Sequence, residues 1–204
     1  MSVKHPKGKI VRRLGTNIFG NPKYSKLLTK RPNAPGKERG AKQRGKTSVY
    51  GEQLKEKQKF RLAYGISERQ FRNMFARAQR MEGITSDNML SLLEQRFDNT
   101  VFRMGFAVSR AQARQMVSHC YFYVNGKPAN VPSMRIKAKD VITSKEKKGI
   151  QNLIRHNLVT SQGNRGSWLT VDEEKLSATV TALPSANDIQ PVGNIQYVIE
   201  FYSR

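Results

Sequence analysis

Four arginines, Arg69, Arg72, Arg77 and Arg80, fall within one short stretch with no acidic residue among them. At about 100° per residue of an α-helix they share an arc of roughly 140°. A merely solvated helix face usually mixes signs. A purely cationic one fits a polyanion, whose phosphates a guanidinium group can hold bidentately. Arg110 and Arg114 repeat the theme: four residues apart, they share one face of a second helix. Lys127 directly follows Asn125-Gly126 and places a further cation at a turn. This is binding chemistry, not bond-making chemistry. The residue types that cleave bonds or hold metals are sparse. Cys120 stands alone, which excludes an internal disulfide and a multi-cysteine zinc site, and His5, His119 and His156 are too scattered for a metal cluster. No catalytic constellation or phosphate-cradling loop is visible, so neither catalytic residues, metal nor cofactor is expected.

The elements that must position these side chains follow from periodicity. Residues 51 to 64 read as a helix with Leu54, Phe60, Leu62 and Ala63 as apolar anchors and Gly65 as a stop. The arginine-bearing helix opens on a capping-box pair, Ser67 and Gln70, and closes at Gly83. Phe71, Met74, Phe75, Ala78 and Met81 form its buried face. A third helix is expected from about Ser86 to Met104, ended by Gly105. A short one, N-capped by Ser109, should run to about His119 and bury Ala113, Met116 and Val117. Tyr121 to Val124 reads as a strand in which alternate aromatics are core, and Asn125-Gly126 is a two-residue hairpin signal. Met134 to Ile136 and Val141-Ile142, separated by a turn over Lys137 to Asp140, read as further short strands.

Charge is the abnormal quantity. The 204 residues carry a net charge of +22 and a pI near 10.5, while 37% hydrophobic residues is close to the globular range. So basic a chain calls for a polyanionic partner. With no long apolar run, no secretory signal and no lipidation motif, nucleic acid fits better than a membrane. Residues 1 to 48 hold 14 lysines and arginines against the single acid Glu38, punctuated by Pro6, Pro22, Pro32 and Pro35. The stretch from Lys30 to Lys46 has almost nothing apolar to bury, so it either orders against a charged partner or serves as a flexible tail.

Ser109-Arg110-Ala111-Gln112-Ala113-Arg114, with Val117 to His119 and Val124-Asn125-Gly126-Lys127, resembles the S-four RNA-binding domain. That domain also occurs in pseudouridine synthases and tRNA synthetases. The flanks narrow the match to the bacterial-type small-subunit ribosomal protein S-four family: Tyr50 to Lys59, Glu68 to Asn73, Leu93 to Asn99, Trp168-Leu169 and Glu200 to Arg204. The resemblance covers residues 5 to 204. It implies an α+β protein with a basic irregular N-terminal extension (1–48), a helical domain (49–95) and an inserted small α/β RNA-binding domain with an antiparallel-rich sheet (96–158). A segment (159–204) should then return to the helical domain. It further implies a structural component of the small ribosomal subunit, in the cytoplasm or an organelle. Such a protein binds the five-prime domain of 16S-type rRNA at a helix junction, nucleates assembly and contributes to decoding accuracy. Its neighbours would be other small-subunit proteins, notably protein five, and possible autoregulation would add its own mRNA.

By position, the resemblance places Ser109, Arg110, Arg114, His119, Asn125 and Lys127 at the RNA face of the inserted domain. It places Tyr50, Gln53, Lys57, Lys59, Arg69 and Arg72 on that of the helical domain. Arg69, Arg72, Arg110 and Arg114 are also reached from helical geometry, whereas Tyr50 and Gln53 rest on resemblance only. Tyr50 and Tyr202 are candidates for base stacking. Replacing Arg110 and Arg114 by alanine is expected to weaken RNA binding without lowering thermal stability. The chain departs from the family in three ways. It lacks the N-terminal cysteine cluster of many relatives, it has Cys120 where they often have Gly, and Pro184 to Asp188 lacks a basic residue. Two other readings stand beside this one. Arg96-Phe97-Asp98 is superficially like the catalytic motif of pseudouridine synthases, but too little chain follows for their catalytic core, and Asp98 should instead cap or pair with Arg96, Arg103 or a backbone group. A standalone RNA chaperone or translational repressor would share the basic patches.

Overall fold

A computed structural model describes residues 6–36, 48–160 and 165–203, in which the chain forms two compact units, one built from residues 1–75 and 191–204 and the other from 76–190. Helices and a small antiparallel sheet make it a mixed α+β protein, as expected.

The first unit begins with helices α1 (Lys7–Leu14) and α2 (Pro22–Lys30). An irregular extension was expected here, and the helices correct that. Pro22 breaks no helix because it occupies the first turn, where a missing N–H costs nothing, and Asn21 caps that turn by accepting from the Lys23 amide at 2.9 Å. Val11, Leu14 and Ile18 are buried, so a small apolar face survives among the charges. Arg12 donates to the Asn33 carbonyl at 2.9 Å. The Lys30–Lys46 stretch lies largely outside the described residues.

Helix α3 (Val49–Ala63) is N-capped by Ser48, which accepts from the Gly51 amide at 3.2 Å. Its buried stripe is Gln53, Lys57, Phe60 and Ala63, so two polar side chains lie in an otherwise apolar row. Helix α4 (Glu68–Arg80) follows Ser67, whose hydroxyl accepts from the Gln70 amide at 3.3 Å. Phe71, Met74, Phe75 and Ala78 are buried as the periodicity requires, but Met81 is exposed beyond the helix end. The last helix, α9 (Ile195–Tyr202), packs on α3 and completes the unit.

In the second unit the expected single helix over 86–104 is two: α5 (Thr85–Glu94) and α6 (Phe97–Arg103). Arg96 leaves helical geometry at ψ 135°, because the chain around it pairs with a distant segment. The Phe97 amide donates to Met134 at 2.8 Å and the Ile136 amide to Gln95 at 3.0 Å. The residues expected as a strand at 134–136 therefore pair with this break and not with the sheet. Helix α7 (Arg110–Ser118) leads into β1 (Phe122–Val124) and β2 (Lys127–Ala129). Asn125 and Gly126 both take positive φ, 51° and 76°, as the hairpin turn demands. Strand β3 (Val141–Ser144), helix α8 (Lys148–Thr160), β4 (Leu169–Asp172) and β5 (Ser177–Val180) follow. The sheet order is β2-β1-β3-β5-β4, antiparallel throughout. Residues 159–204 are thus not one returning segment: Leu169 to Val180 joins the sheet, and Ile195 to Tyr202 belongs to the helical unit. The second core gathers Phe97, Phe106, Val117, Phe122, Ile142 and Ile154. Asn157 ties α8 to the Phe106 carbonyl at 2.9 Å.

Helix α7 ends in a Schellman motif: the Tyr121 amide donates to Met116 at 3.2 Å and the Cys120 amide to Val117 at 2.8 Å. Cys120 occupies the left-handed position at φ 58°, which carries a steric penalty for any residue with a Cβ. Cys120→Gly should relieve it and raise unfolding free energy by about 0.5–1 kcal/mol, after allowing for glycine's looser unfolded chain. Urea denaturation of the two proteins measures this, and a lower midpoint for the glycine variant would show that cysteine packing outweighs backbone strain.

Candidate nucleic-acid interface

On α4 the arginines face water. Arg69, Arg72, Arg77 and Arg80 are all exposed, opposite the buried phenylalanines and methionine. The amphipathic division read from spacing is therefore physical. Tyr50, at the start of α3, is 52% exposed, with its ring 5.5 Å from that of Phe201.

The other expected residues of the first unit are placed differently. Gln53 and Lys57 are only 2% and 7% exposed, so they line no surface. The Gln53 amide donates to Glu200 at 2.9 Å, while its buried carbonyl oxygen finds no donor among the described residues. The Lys57 ammonium donates to Glu68 at 2.7 Å and lies 4.4 Å over the Phe201 ring. Lys59 is paired with Glu56, whose other oxygen accepts from the Asn194 amide at 2.9 Å at the entry to α9. These side chains hold α9 onto α3. Tyr202 is half-buried and engaged within the unit: its ring stacks on Phe75 at 4.9 Å and its hydroxyl donates to Glu68 at 2.8 Å. Spacing could have flagged Gln53, Lys57 and Phe60 as one helix stripe, which is the signal of inward-facing polar groups.

In the second unit, Ser109 caps α7 by accepting from the Gln112 amide at 3.3 Å, and the Gln112 side chain accepts from the Val108 amide at 2.8 Å. Arg110 donates to the Asn99 side-chain oxygen Oδ1 at 2.8 Å, and its guanidinium lies 4.7 Å over the Phe102 ring. Arg114, with a side chain 40% exposed, has a guanidinium nitrogen 3.8 Å from Asp98. Because Arg110 is held within the fold by Asn99 and Phe102, its replacement by alanine should cost stability, which the sequence expectation left out. His119 is exposed and edges onto Tyr121 at 5.8 Å. Asn125 is a structural pin, donating to Asp140 at 2.9 Å and accepting from the Val141 amide at 2.9 Å. Lys127 is exposed on the edge strand.

Asp98 is chelated by Arg96 at 3.1 and 2.9 Å, as anticipated for a structural acid, whereas Arg103 pairs with Glu94. Exposed Lys137 and Lys139 near the hairpin, and Lys145, Lys147 and Lys148 leading into α8, were not singled out. Their clustering in KAK and KEKK was the available signal. Among the described residues, no group of three or more His, Cys, Asp or Glu is placed to hold a metal ion.

The sharing of Glu68 has a pH signature. Burial pushes its carboxyl up, but hydrogen bonds from Lys57 and Tyr202 and the charges of Lys57 and Arg61 outweigh this and hold it below its ordinary 4.5. A depressed carboxyl contributes stability that is present above its unfolded value and lost as pH falls below about 4.5. Tyr202→Phe should therefore lower stability by about 1 kcal/mol at pH 7, with the gap narrowing below pH 4.5. Paired urea melts at pH 7 and pH 3.5 test it, and a gap that widened in acid would contradict the assignment.

Comparison with known proteins identifies the family of the chain. A family profile described as the ribosomal protein S4/S9 N-terminal domain matches residues 2–94, and one described as the S4 domain matches residues 95–142. The chain is 73% identical over 204 residues to the small ribosomal subunit protein uS4 of Treponema denticola, covering all of this chain and 99% of that one. It is 72% identical to the protein of that name from Treponema pallidum, with both chains covered in full. The counterpart from Borrelia hermsii is 47% identical over 97% of this chain and 96% of its own. With relatives this similar along its whole length, the chain belongs to the ribosomal protein S4 family and carries an S4 RNA-binding domain.

Proposed function

We propose that the protein is a structural component of the small ribosomal subunit that binds the five-prime domain of small-subunit rRNA at a helix junction. The observation that carries this reading is the exposed face of α4, where Arg69, Arg72, Arg77 and Arg80 stand with no acid among them, on a chain of net charge +22. Lysines and arginines displace condensed counterions from phosphates, while the deep groove of duplex RNA hides base edges, so recognition works through backbone geometry and 2′-hydroxyls. Arg69 and Arg72 on the first unit, and Ser109, Arg110, Arg114, His119 and Lys127 on the second, are the proposed contacts. Tyr50 adds an exposed ring for stacking. Gln53, Lys57 and Lys59 act indirectly, by fixing α9 against the helix that carries Tyr50, and Asn125 acts by shaping the turn before Lys127. The protein acts without catalysis. Early binding would nucleate assembly beside other small-subunit proteins, protein five among them, with consequences for decoding accuracy, and its own mRNA is a second RNA of the same chemistry. The setting is a bacterial-type ribosome in the cytoplasm.

Filter binding against the isolated five-prime domain and an unrelated duplex of equal length, over a range of salt, tests the reading. With about 8 phosphate contacts, log K should fall with log salt at a slope on the order of −6, and binding to the five-prime domain should outlast that to the duplex. Arg69→Ala with Arg72→Ala should make the slope shallower by about 1.5 while leaving the thermal midpoint unchanged. Equal, salt-fragile binding to both RNAs would reduce the protein to a generic polycation and refute the proposal.

A further inference from the structure

In the second unit, four guanidinium groups share two buried carboxylates. Glu94, fully buried, accepts from Arg103 at 2.7 and 3.0 Å and from the Asn99 side-chain Nδ2 at 2.9 Å, and lies 3.9 Å from Arg110. The Asn99 side-chain oxygen Oδ1 accepts from Arg110 in turn. Asp98 takes both nitrogens of Arg96 and lies 3.8 Å from Arg114. Adjacent residues at the start of α6 thus reach the two arginines that stand one turn apart on α7. Exposure is graded: the side chains of Arg96, Arg103, Arg110 and Arg114 are 3, 15, 17 and 40% exposed. The cluster therefore carries positive charge in excess of its carboxylates, and its most exposed member is at the surface of the RNA-binding domain.

We propose that Glu94, Asp98 and Asn99 are positioning residues for RNA recognition: they hold Arg110 and Arg114 in one orientation before RNA arrives. This rests on the RNA-binding reading above and adds to it the source of selectivity. A free arginine side chain loses about 2 kcal/mol of rotamer entropy when ordered. Here the hydrogen bond from Arg110 to Asn99 has already ordered one guanidinium and the charge of Asp98, 3.8 Å away, biases the other, so a phosphate at the correct spacing meets a prepared pair, and one at another spacing gains less. Selectivity between a junction and a plain duplex then depends on acids that touch no RNA.

The test measures full-length variants against the five-prime domain and the unrelated duplex at one salt concentration, with a thermal melt to verify folding. Asp98→Asn keeps the shape and removes the charge. Its affinity for the five-prime domain should fall about tenfold with duplex affinity unchanged or raised, and it should add nothing further in an Arg114→Ala background. An unchanged ratio of the two affinities, or an undiminished effect in that background, would overturn the proposal. Should Asp98→Asn fail to fold, Arg114→Lys serves at a partly exposed position: it keeps the charge, loses the planar fork, and should lower affinity for the five-prime domain more than affinity for the duplex, and so lower the ratio. A full ratio in that variant overturns the proposal as well. A wild-type protein that binds both RNAs equally would instead remove the RNA reading itself, and this inference with it.

Discussion

Shortage of negative charge governs this structure. Fifteen acidic side chains stand against 37 basic ones, so compaction brings like charges together with too few partners to neutralise them. The fold responds by giving single carboxylates several cations or donors each. Glu68 serves Lys57, Arg61 and Tyr202; Glu94 serves Arg103, Arg110 and Asn99; Asp98 serves Arg96 and Arg114. Each such acid sits where one helix meets another segment, so neutralisation and helix packing are the same event. Removing a partner of Glu94 or Asp98 leaves a buried charge uncompensated, which is costly, whereas the exposed arginines of α4 carry no such internal duty.

The same economy explains why the outermost parts of the chain close the helical unit. Helix α9 comes from the last residues and lies on α3 through Gln53–Glu200, the Asn194–Glu56 bond and the ammonium of Lys57 over the Phe201 ring. An aromatic pair, Tyr202 on Phe75, anchors its far end. Basic residues within this contact are consumed by structure. Those left at the surface, on one face of α4 and around α7 and the hairpin, are the ones available to a polyanion.

Legibility followed the range of the interaction. Helix α4 was readable because its determinants are local: Phe71, Met74, Phe75 and Ala78 at helical spacing, Arg69, Arg72, Arg77 and Arg80 opposite, and a serine cap at the start. The hairpin was readable because positive φ at both turn positions is a property of Asn125-Gly126 alone. The break at Arg96 was not, because it is made by Met134 and Ile136, some forty residues away, and nothing between Leu93 and Phe102 interrupts the helical pattern. Strand β5 was missed for a related reason, since its pairing with β3 spans helix α8, and β4 joins the sheet only through β5. In the first unit, two short helices were hidden by prolines that local rules read as breakers, one of which sits where a helix tolerates it.

The sequence by itself determined the family, the α+β class, the sign and location of the charge, and the helix that carries the arginine face. All of these reside in residue type and near spacing. The tertiary structure decided which cations remain outward. Lys57 and Arg69 belong to the same chemical class, yet one is buried against Glu68 and Phe201 and the other is exposed. Arg96 and Arg114 likewise share Asp98, but the first is buried against it at 2.9 Å and the second stands 3.8 Å away and partly exposed. A charge's identity is written in the chain, but its availability depends on where the few carboxylates end up, and only long-range packing fixes that.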